Sequence, residues 1–172
     1  MKDLSMHILD IAENSVRAGS TEVDVELYDQ DNRLELVIRD NGCGMDAERV
    51  RNITDPYMTS RTSRKVGLGL PFLKMNAEQT GGSVLVESEP GKGTCVRAIF
   101  MKDHIDCIPE GDVPSTLAAL MTGHPGVNFR IRIDKNGESF DLSTKEITEI
   151  LDGIPVSHPK VRVFIRNMLK EV

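Results

Sequence analysis

A chain of 172 residues, 39% hydrophobic and 28% charged, has the makeup of a soluble globular protein with one good core, or one domain plus a small appendage. Its formal net charge of -6 excludes non-specific nucleic-acid binding, and no apolar run approaches the ~20 residues of a membrane span. The start, Met1-Lys2-Asp3-Leu4-Ser5-Met6-His7, is no signal peptide, and Cys43, Cys95 and Cys107 are odd in number and outside CxxC spacing. A cytoplasmic protein is expected, with no disulfide framework, no thiolate zinc site, and no nucleic-acid or membrane partner.

Residues 4–18 read as a helix. Leu4, Ile8, Leu9, Ile11, Ala12 and Val16 fall on one apolar arc, and Gly19 is the expected left-handed cap. Asp3, His7, Asp10, Asn14 and Arg17 lie opposite. The i, i+4, i+7 spacing of Asp10, Asn14 and Arg17 stacks a carboxylate, a neutral oxygen ligand and a cation on one stripe, a set suited to a metal-phosphate.

Val23, Val25 and Leu27 alternate with polar residues, as do Leu34, Leu36 and Ile38, so 21–28 and 33–39 predict two strands joined by a turn over 29–32. The second strand runs into Asp40-Asn41-Gly42-Cys43-Gly44-Met45. Asp40 stands at the strand end, where its carboxylate can leave the sheet. The two glycines let the backbone turn and approach something flat. A carboxylate at the floor of such a turn accepts from an exocyclic amine such as that of adenine.

A short helix follows over 46–53, with Asp46 as N-cap. Residues 54–66 have no period; Arg61, Arg64 and Lys65 among several hydroxyls suit an anion. Next comes Gly67-Leu68-Gly69-Leu70, then a helix over 71–80 with Pro71 in its first turn. Glycines at a helix start leave N–H groups open to phosphate. There is no third glycine for a dinucleotide fingerprint and no Gly-Lys-Ser/Thr for a Walker A loop.

Strands over 83–88 and 94–100 flank the turn Glu89-Pro90-Gly91-Lys92-Gly93. The order of elements to this point implies an α+β fold, a two-layer sandwich of a mixed sheet with helices on one face. Residues 101–114 read as a polar, proline-bearing linker. Beyond them the pattern predicts a helix over 115–121, a strand over 127–134, a hairpin at Asn136-Gly137 into 138–142, a helix opened by the capping box Ser143/Glu146, and a last helix over 159–170. This small α/β appendage is short for a core of its own, so it is expected to pack on the first part or on a partner.

Taken together, Glu13-Asn14-Ser15, Asp40-x-Gly42-x-Gly44, Gly67-Leu68-Gly69-Leu70 and Gly93-Thr94 resemble, in order and spacing, the four boxes of the GHKL ATP-binding (Bergerat) domain of gyrase, heat-shock chaperones, histidine kinases and MutL. The resemblance covers residues 1–104; residues 105–172 stay a C-terminal segment of unknown role. The Asn box, with Ala18-Gly19-Ser20-Thr21, resembles the MutL version. The stretch from Asp55-Pro56-Tyr57 to the Glu89–Thr94 hairpin resembles the histidine kinases and carries more weight.

The resemblance implies ATP and Mg²⁺ as cofactors. Asn14 would ligand the metal and Arg17 would touch a phosphate. Asp40 would take the adenine amine, with Gly42, Gly44 and Met45 beside the base. Gly67, Leu68, Gly69 and Leu70 would offer N–H groups to the phosphates, and Thr94 would join the water network at Asp40. Tyr57 would flank the base, and Arg61, Arg64 and Lys65 would reach the terminal phosphate from a lid.

ATP-hydrolysing members carry a Glu as general base where this chain has Asp10, one methylene shorter, so Asp10 is expected either to fail in that role, to act through a second water, or to serve a different nucleophile. No histidine kinase box surrounds His7, His104, His124 or His158, and no phosphoacceptor segment precedes the Asn-box helix. The expected function is a histidine-kinase-like module that passes the γ-phosphoryl group to an unidentified protein partner. An ATP sensor without catalysis, an anti-sigma-type serine kinase and, last, a MutL-like ATPase switch are the alternatives.

Overall fold

The computed structural model describes residues 2–55 and 69–172. Helix α1 (Leu4–Arg17) opens with Asp3 as N-cap, whose Oδ1 accepts from Met6 N at 2.9 Å and Ser5 Oγ at 2.6 Å. It ends at Gly19, with φ +81°. Leu4, Ile8, Ile11 and Ala12 are buried as the periodicity predicts. Two positions depart from it: His7, read onto the polar face, is fully buried, and Leu9, read onto the apolar arc, is 42% exposed. The reason is packing, since α1 has helical neighbours on both flanks as well as the sheet beneath it.

Strands β1 (Glu22–Gln30) and β2 (Arg33–Asp40) form a hairpin that pairs Val23 with Asp40. Helices α2 (Ala47–Ile53) and α3 (Gly69–Gln79) follow, then the hairpin β3 (Ser83–Glu89)–β4 (Gly93–Met101). Beyond it lie α4 (Val113–Gly123), β5 (Asn128–Lys135), β6 (Glu138–Ser143), α5 (Thr144–Leu151) and α6 (Pro159–Lys170).

All six strands make one mixed sheet in the order β3-β4-β2-β1-β5-β6. Every pairing is antiparallel except β1 with β5, which runs parallel from Glu22/Asn128 to Asp29/Lys135. The fold is thus the α+β class expected, but residues 105–172 do not stand apart. Their two strands extend the same sheet, and Phe129, Ile131, Ile147 and Ile165 join one hydrophobic cluster with Ile8, Leu36 and Phe100.

One face of the sheet buries Val25, Leu36, Ala98 and Ile131 under the helices. The opposite face carries cross-strand ion pairs: Arg39 with Glu26 at 3.0 Å, Arg97 with Glu35 at 3.1 Å, and Arg130 with Asp24. Val37 lies on that face yet is buried, flanked in register by Glu26 and Arg97. The aliphatic stems of such long charged side chains can cover an apolar neighbour.

The stretch read as a linker has a structural task. Pro109 O accepts from Leu4 N at 2.9 Å and Glu110 O from Ser5 N at 3.0 Å, so the strap caps the first turn of α1. It then becomes α4 two residues earlier than predicted, because Asp112 is an N-cap that accepts from Ser115 N at 3.1 Å.

Candidate nucleotide-binding site

At the end of the sheet where β2 stops, a cavity of about 270 Å³ opens between α1, α2, α3 and the 41–45 turn. Its walls include Ile11, Ile38, Met45, Ile53, Leu70 and Val96; its polar lining includes Asn14, Ser15, Arg17, Asp40, Arg49 and Thr94. Apolar walls with a few convergent polar groups are what a flat heteroaromatic ligand needs.

Asp40 is held by three donors. Gly42 N and Thr94 N donate to Oδ1 at 2.9 and 3.2 Å, and Ser15 Oγ donates to Oδ2 at 2.6 Å. Oδ1 is thereby occupied, while Oδ2 keeps a lone pair for one more donor. The rotamer is set before any ligand arrives. Ser15, buried on α1, belongs to the Asn-box tripeptide but carried no role in the sequence reading. Its one available signal was its place on the same helix as Asn14.

The turn that carries Asp40 is braced on both sides. Asn41 Oδ1 accepts from Thr21 N and Glu22 N at 2.9 and 3.0 Å, and Cys43 N donates to Ala18 O at 3.0 Å. Ser88 Oγ accepts from Met45 N at 2.8 Å and donates to Gly93 O at 2.9 Å. Its single proton being used, the 2.8 Å contact with Thr94 Oγ1 is a donation from Thr94, whose lone pairs stay open to the cavity. Gly44 has φ +67°, and a Cβ there would overlap the Glu89 carbonyl, so only glycine fits the approach of the two turns. Asn41 and Ser88 are supporting residues that sequence reasoning missed.

Along α1, Asn14 Nδ2 lies 3.5 Å from Asp10 Oδ2, which leaves the Asn14 carbonyl oxygen free, and Arg17 Nε donates to Glu13 O at 3.3 Å. Asp10 faces the start of α3. A Cβ on Gly69 would overlap its carboxylate, so glycine at 69 makes room for Asp10. Burial pushes the Asp10 carboxyl above the usual range, with Arg17 opposing. Glu13 bonds instead with His124 Nε2 at 2.8 Å.

The structure therefore brings Asp10, Asn14, Arg17, Asp40, Gly42, Gly44, Met45, Gly69, Leu70 and Thr94 to one end of the sheet. Leu70 enters as a wall of the cavity as well as a helix-start residue. Tyr57, Arg61, Arg64, Lys65, Gly67 and Leu68 lie outside the described residues. Arg49 of α2 adds a cation to the lining that the sequence reading did not single out.

Among the described residues, no cluster of three or more His, Cys, Asp or Glu could cage a metal. The donors do suit Mg²⁺, which takes one or two protein oxygens and completes its shell with phosphates and water. No helix among the described residues is long and apolar enough to cross a membrane.

Comparison with known proteins identifies the family. The family model described as histidine kinase-, DNA gyrase B-, and HSP90-like ATPase matches residues 2–104. The chain is 28% identical over 107 residues to the sensor histidine kinase YxdK of Bacillus subtilis, covering 58% of this chain and 33% of that one. It is 35% identical over 96 residues to the sensor protein kinase FleS of Pseudomonas aeruginosa, covering 54% and 23%. It is 32% identical over 95 residues to sporulation kinase E of B. subtilis, covering 53% and 13%. The chain thus spans a third or less of the length of these relatives.

A crystal structure of the N-terminal domain of a DNA repair protein superposes with a TM-score of 0.59 at 14% identity, covering 83% of this chain and 53% of that one; it shows the shared fold. Residues 2–104 form an ATP-binding module of the histidine-kinase-like type, and the chain belongs to the histidine kinase-, DNA gyrase B- and HSP90-like ATPase family.

Proposed function

We propose that the module binds Mg-ATP in the cavity at the end of β2 and passes the γ-phosphoryl group to a side chain of a partner protein. The observation that carries this is Asp40, whose Oδ2 keeps one acceptor position toward an apolar cavity. Adenine presents an amine there and guanine a carbonyl, so Asp40 selects ATP over GTP. Gly42, Gly44 and Met45 border the base, and Thr94 accepts from water or from the same amine.

Asn14 offers its carbonyl oxygen to the metal and Arg17 its guanidinium to a phosphate. The Gly69 and Leu70 N–H groups begin α3, where the helix dipole favours negative charge. Gly67, Leu68, Arg64, Lys65 and Tyr57 complete the tail and base contacts in this reading. Bound Mg²⁺ supplies charge neutralisation across the phosphates. Phosphoryl transfer asks the protein mainly for positioning and electrostatic stabilisation, and in this reading Asp10 takes a proton from the nucleophile.

A second reading is favoured by Asp10 itself. It is one methylene shorter than the Glu of ATP-hydrolysing members and is packed against Gly69, and both limit its reach toward a nucleophile. On this reading the chain binds ATP as a sensor and turnover is absent.

Incubation with γ-labelled ATP and Mg²⁺, with and without proteins that co-purify in ATP, separates the readings. Label on a co-purifying protein is the expected result. Free phosphate alone identifies an ATPase, and tight binding with neither product identifies the sensor. Asn14→Ala is expected to remove only the Mg²⁺-dependent part of ATP affinity; an equal Mg²⁺ dependence in wild type and variant overturns the metal role.

A further inference from the structure

Arg49 lines the nucleotide cavity, and its side chain has no structural task there. Its backbone N–H donates to the Asp46 cap of α2 at 2.8 Å. Among the described residues its guanidinium enters no ion pair and no hydrogen bond, whereas Arg33, Arg39, Arg97 and Arg130 all pair with acids on the sheet. The residue is exposed, so the cation is open to a ligand.

Its place in the cavity follows from how α2 is fastened. Ser88 Oγ accepts from Met45 N at 2.8 Å and also meets Gly93 O and Thr94 Oγ1. Met45 is thereby tied to the hairpin end beside Asp40, and α2 packs on β3. Arg49 and Ile53 are one turn apart on α2, and both line the cavity, as does Met45 just before the helix. Arg49 is thus the charged residue of an otherwise apolar wall. The groups suited to phosphate stand on other elements, Asn14 and Arg17 on α1 and Gly69 and Leu70 at the start of α3.

The same cavity is short of rings. Among the described residues no Phe, Tyr or His lines it. A purine face binds well against a flat, polarisable group. Guanidinium is such a group: it is planar, weakly hydrated, and stacks on aromatic rings. We infer that Arg49 is the stacking residue of this site and lays its guanidinium against the purine ring of the nucleotide. The inference rests on the reading of the cavity as an adenine-nucleotide site and adds a second contact to the base. Asp40 reads the amine edge and sets the choice of base. Arg49 meets the ring face, which every base presents, and contributes affinity. A contact to the phosphate tail is the other use for a cation here, and it makes the effect of Arg49 depend on tail length.

Affinities of adenosine, ADP and ATP for the whole chain, measured with Mg²⁺ by ligand-observed NMR and calorimetry, separate the two uses. Arg49→Ala is expected to weaken all three by the same factor, about tenfold, with an unaltered circular dichroism spectrum. Arg49→Tyr keeps a flat face and loses the charge, and is expected to bring all three back near the wild-type values. Arg49→Lys keeps the charge and loses the plane, and is expected to recover less than Arg49→Tyr does. An Arg49→Ala variant that loses ATP but not adenosine, or a Lys variant that recovers where Tyr fails, assigns the cation to the tail and overturns the inference. Equal binding by wild type and Arg49→Ala overturns it as well, while leaving the nucleotide site intact. A wild-type chain that binds none of the three overturns the nucleotide reading, and this inference with it.

Discussion

Asp40 shows how much preparation a single acceptor needs. Three donors hold it, two on Oδ1 and Ser15 on Oδ2, so the position left for a ligand has one direction. A preorganised acceptor spares the ligand the cost of ordering it. Asp40→Asn presents an amide where an amine must donate, and is expected to lower ATP affinity roughly tenfold to a hundredfold by calorimetry. Ser15→Ala leaves the acid in place but frees its rotation, so the expected change is a smaller affinity loss with a reduced preference for ATP over GTP.

Asp10 is under the opposite pressure. Its folded-state carboxyl titrates above the unfolded value of 3.8, so the folded protein holds that proton more tightly than the unfolded one. Ionised Asp10 therefore costs stability, and the cost grows as pH rises from 3.8 through the folded value. Asp10→Asn should raise the thermal midpoint at neutral pH while abolishing any turnover. Below pH 3.8 the gain should vanish.

Helix α3 meets α1 through two contacts of different kinds. At its start, Gly69 lies against Asp10. Gly69→Ala forces that carboxylate aside, and overpacking of this sort costs about 1–3 kcal/mol. The cost should shrink in an Asp10→Ala background, a coupling that a double-mutant cycle in urea reads directly.

Further along, Asn76 Nδ2 donates to His7 Nε2 at 2.8 Å in a buried joint, and His7 Nδ1 has no hydrogen-bond partner among the described residues. Burial lowers the His7 pKa from 6.5 to about 4, with the N-terminal charge adding to it. The folded state binds fewer protons than the unfolded one between those values, so stability is complete above pH 6.5 and falls as pH drops toward 4. The fall is on the order of 3 kcal/mol. His7→Gln should flatten that slope in denaturant titrations at a series of pH values; an unchanged slope would place the titrating group elsewhere.

The elements also show what was legible from sequence. Asp40 could be read because strand alternation stops at it and glycines follow. The capping box at Ser143 and Glu146 appears as written. His7 and Leu9 were misplaced because a helical wheel marks a polar side without knowing that α3 lies along it. The link between Gly69 and Asp10 was beyond a reading of spacing, since 59 positions of chain separate residues that a tertiary fold puts in contact.

Across the whole molecule, the C-terminal strands are structural neighbours of the nucleotide site. β1 begins against β2 at the Asp40 corner on one side and pairs with β5 on the other. Periodicity announced β5 as a strand but could not name its partner, because its alternation would suit either edge. Phe129 is fully buried in the common cluster. Phe129→Ala is expected to cost about 3–5 kcal/mol, and to lower the unfolding midpoint seen by nucleotide protection and by far-ultraviolet circular dichroism together. Two separate transitions would mean that the C-terminal residues fold on their own.

The parallel ladder between β1 and β5 has a temporal consequence. Glu22 waits for Asn128, more than a hundred positions later, before its open side is satisfied. As the chain leaves the ribosome, β1 spends that interval as a bare edge with ordered hydrogen-bonding groups and no neighbour. Such distant partnerships slow folding and leave nascent chains prone to association.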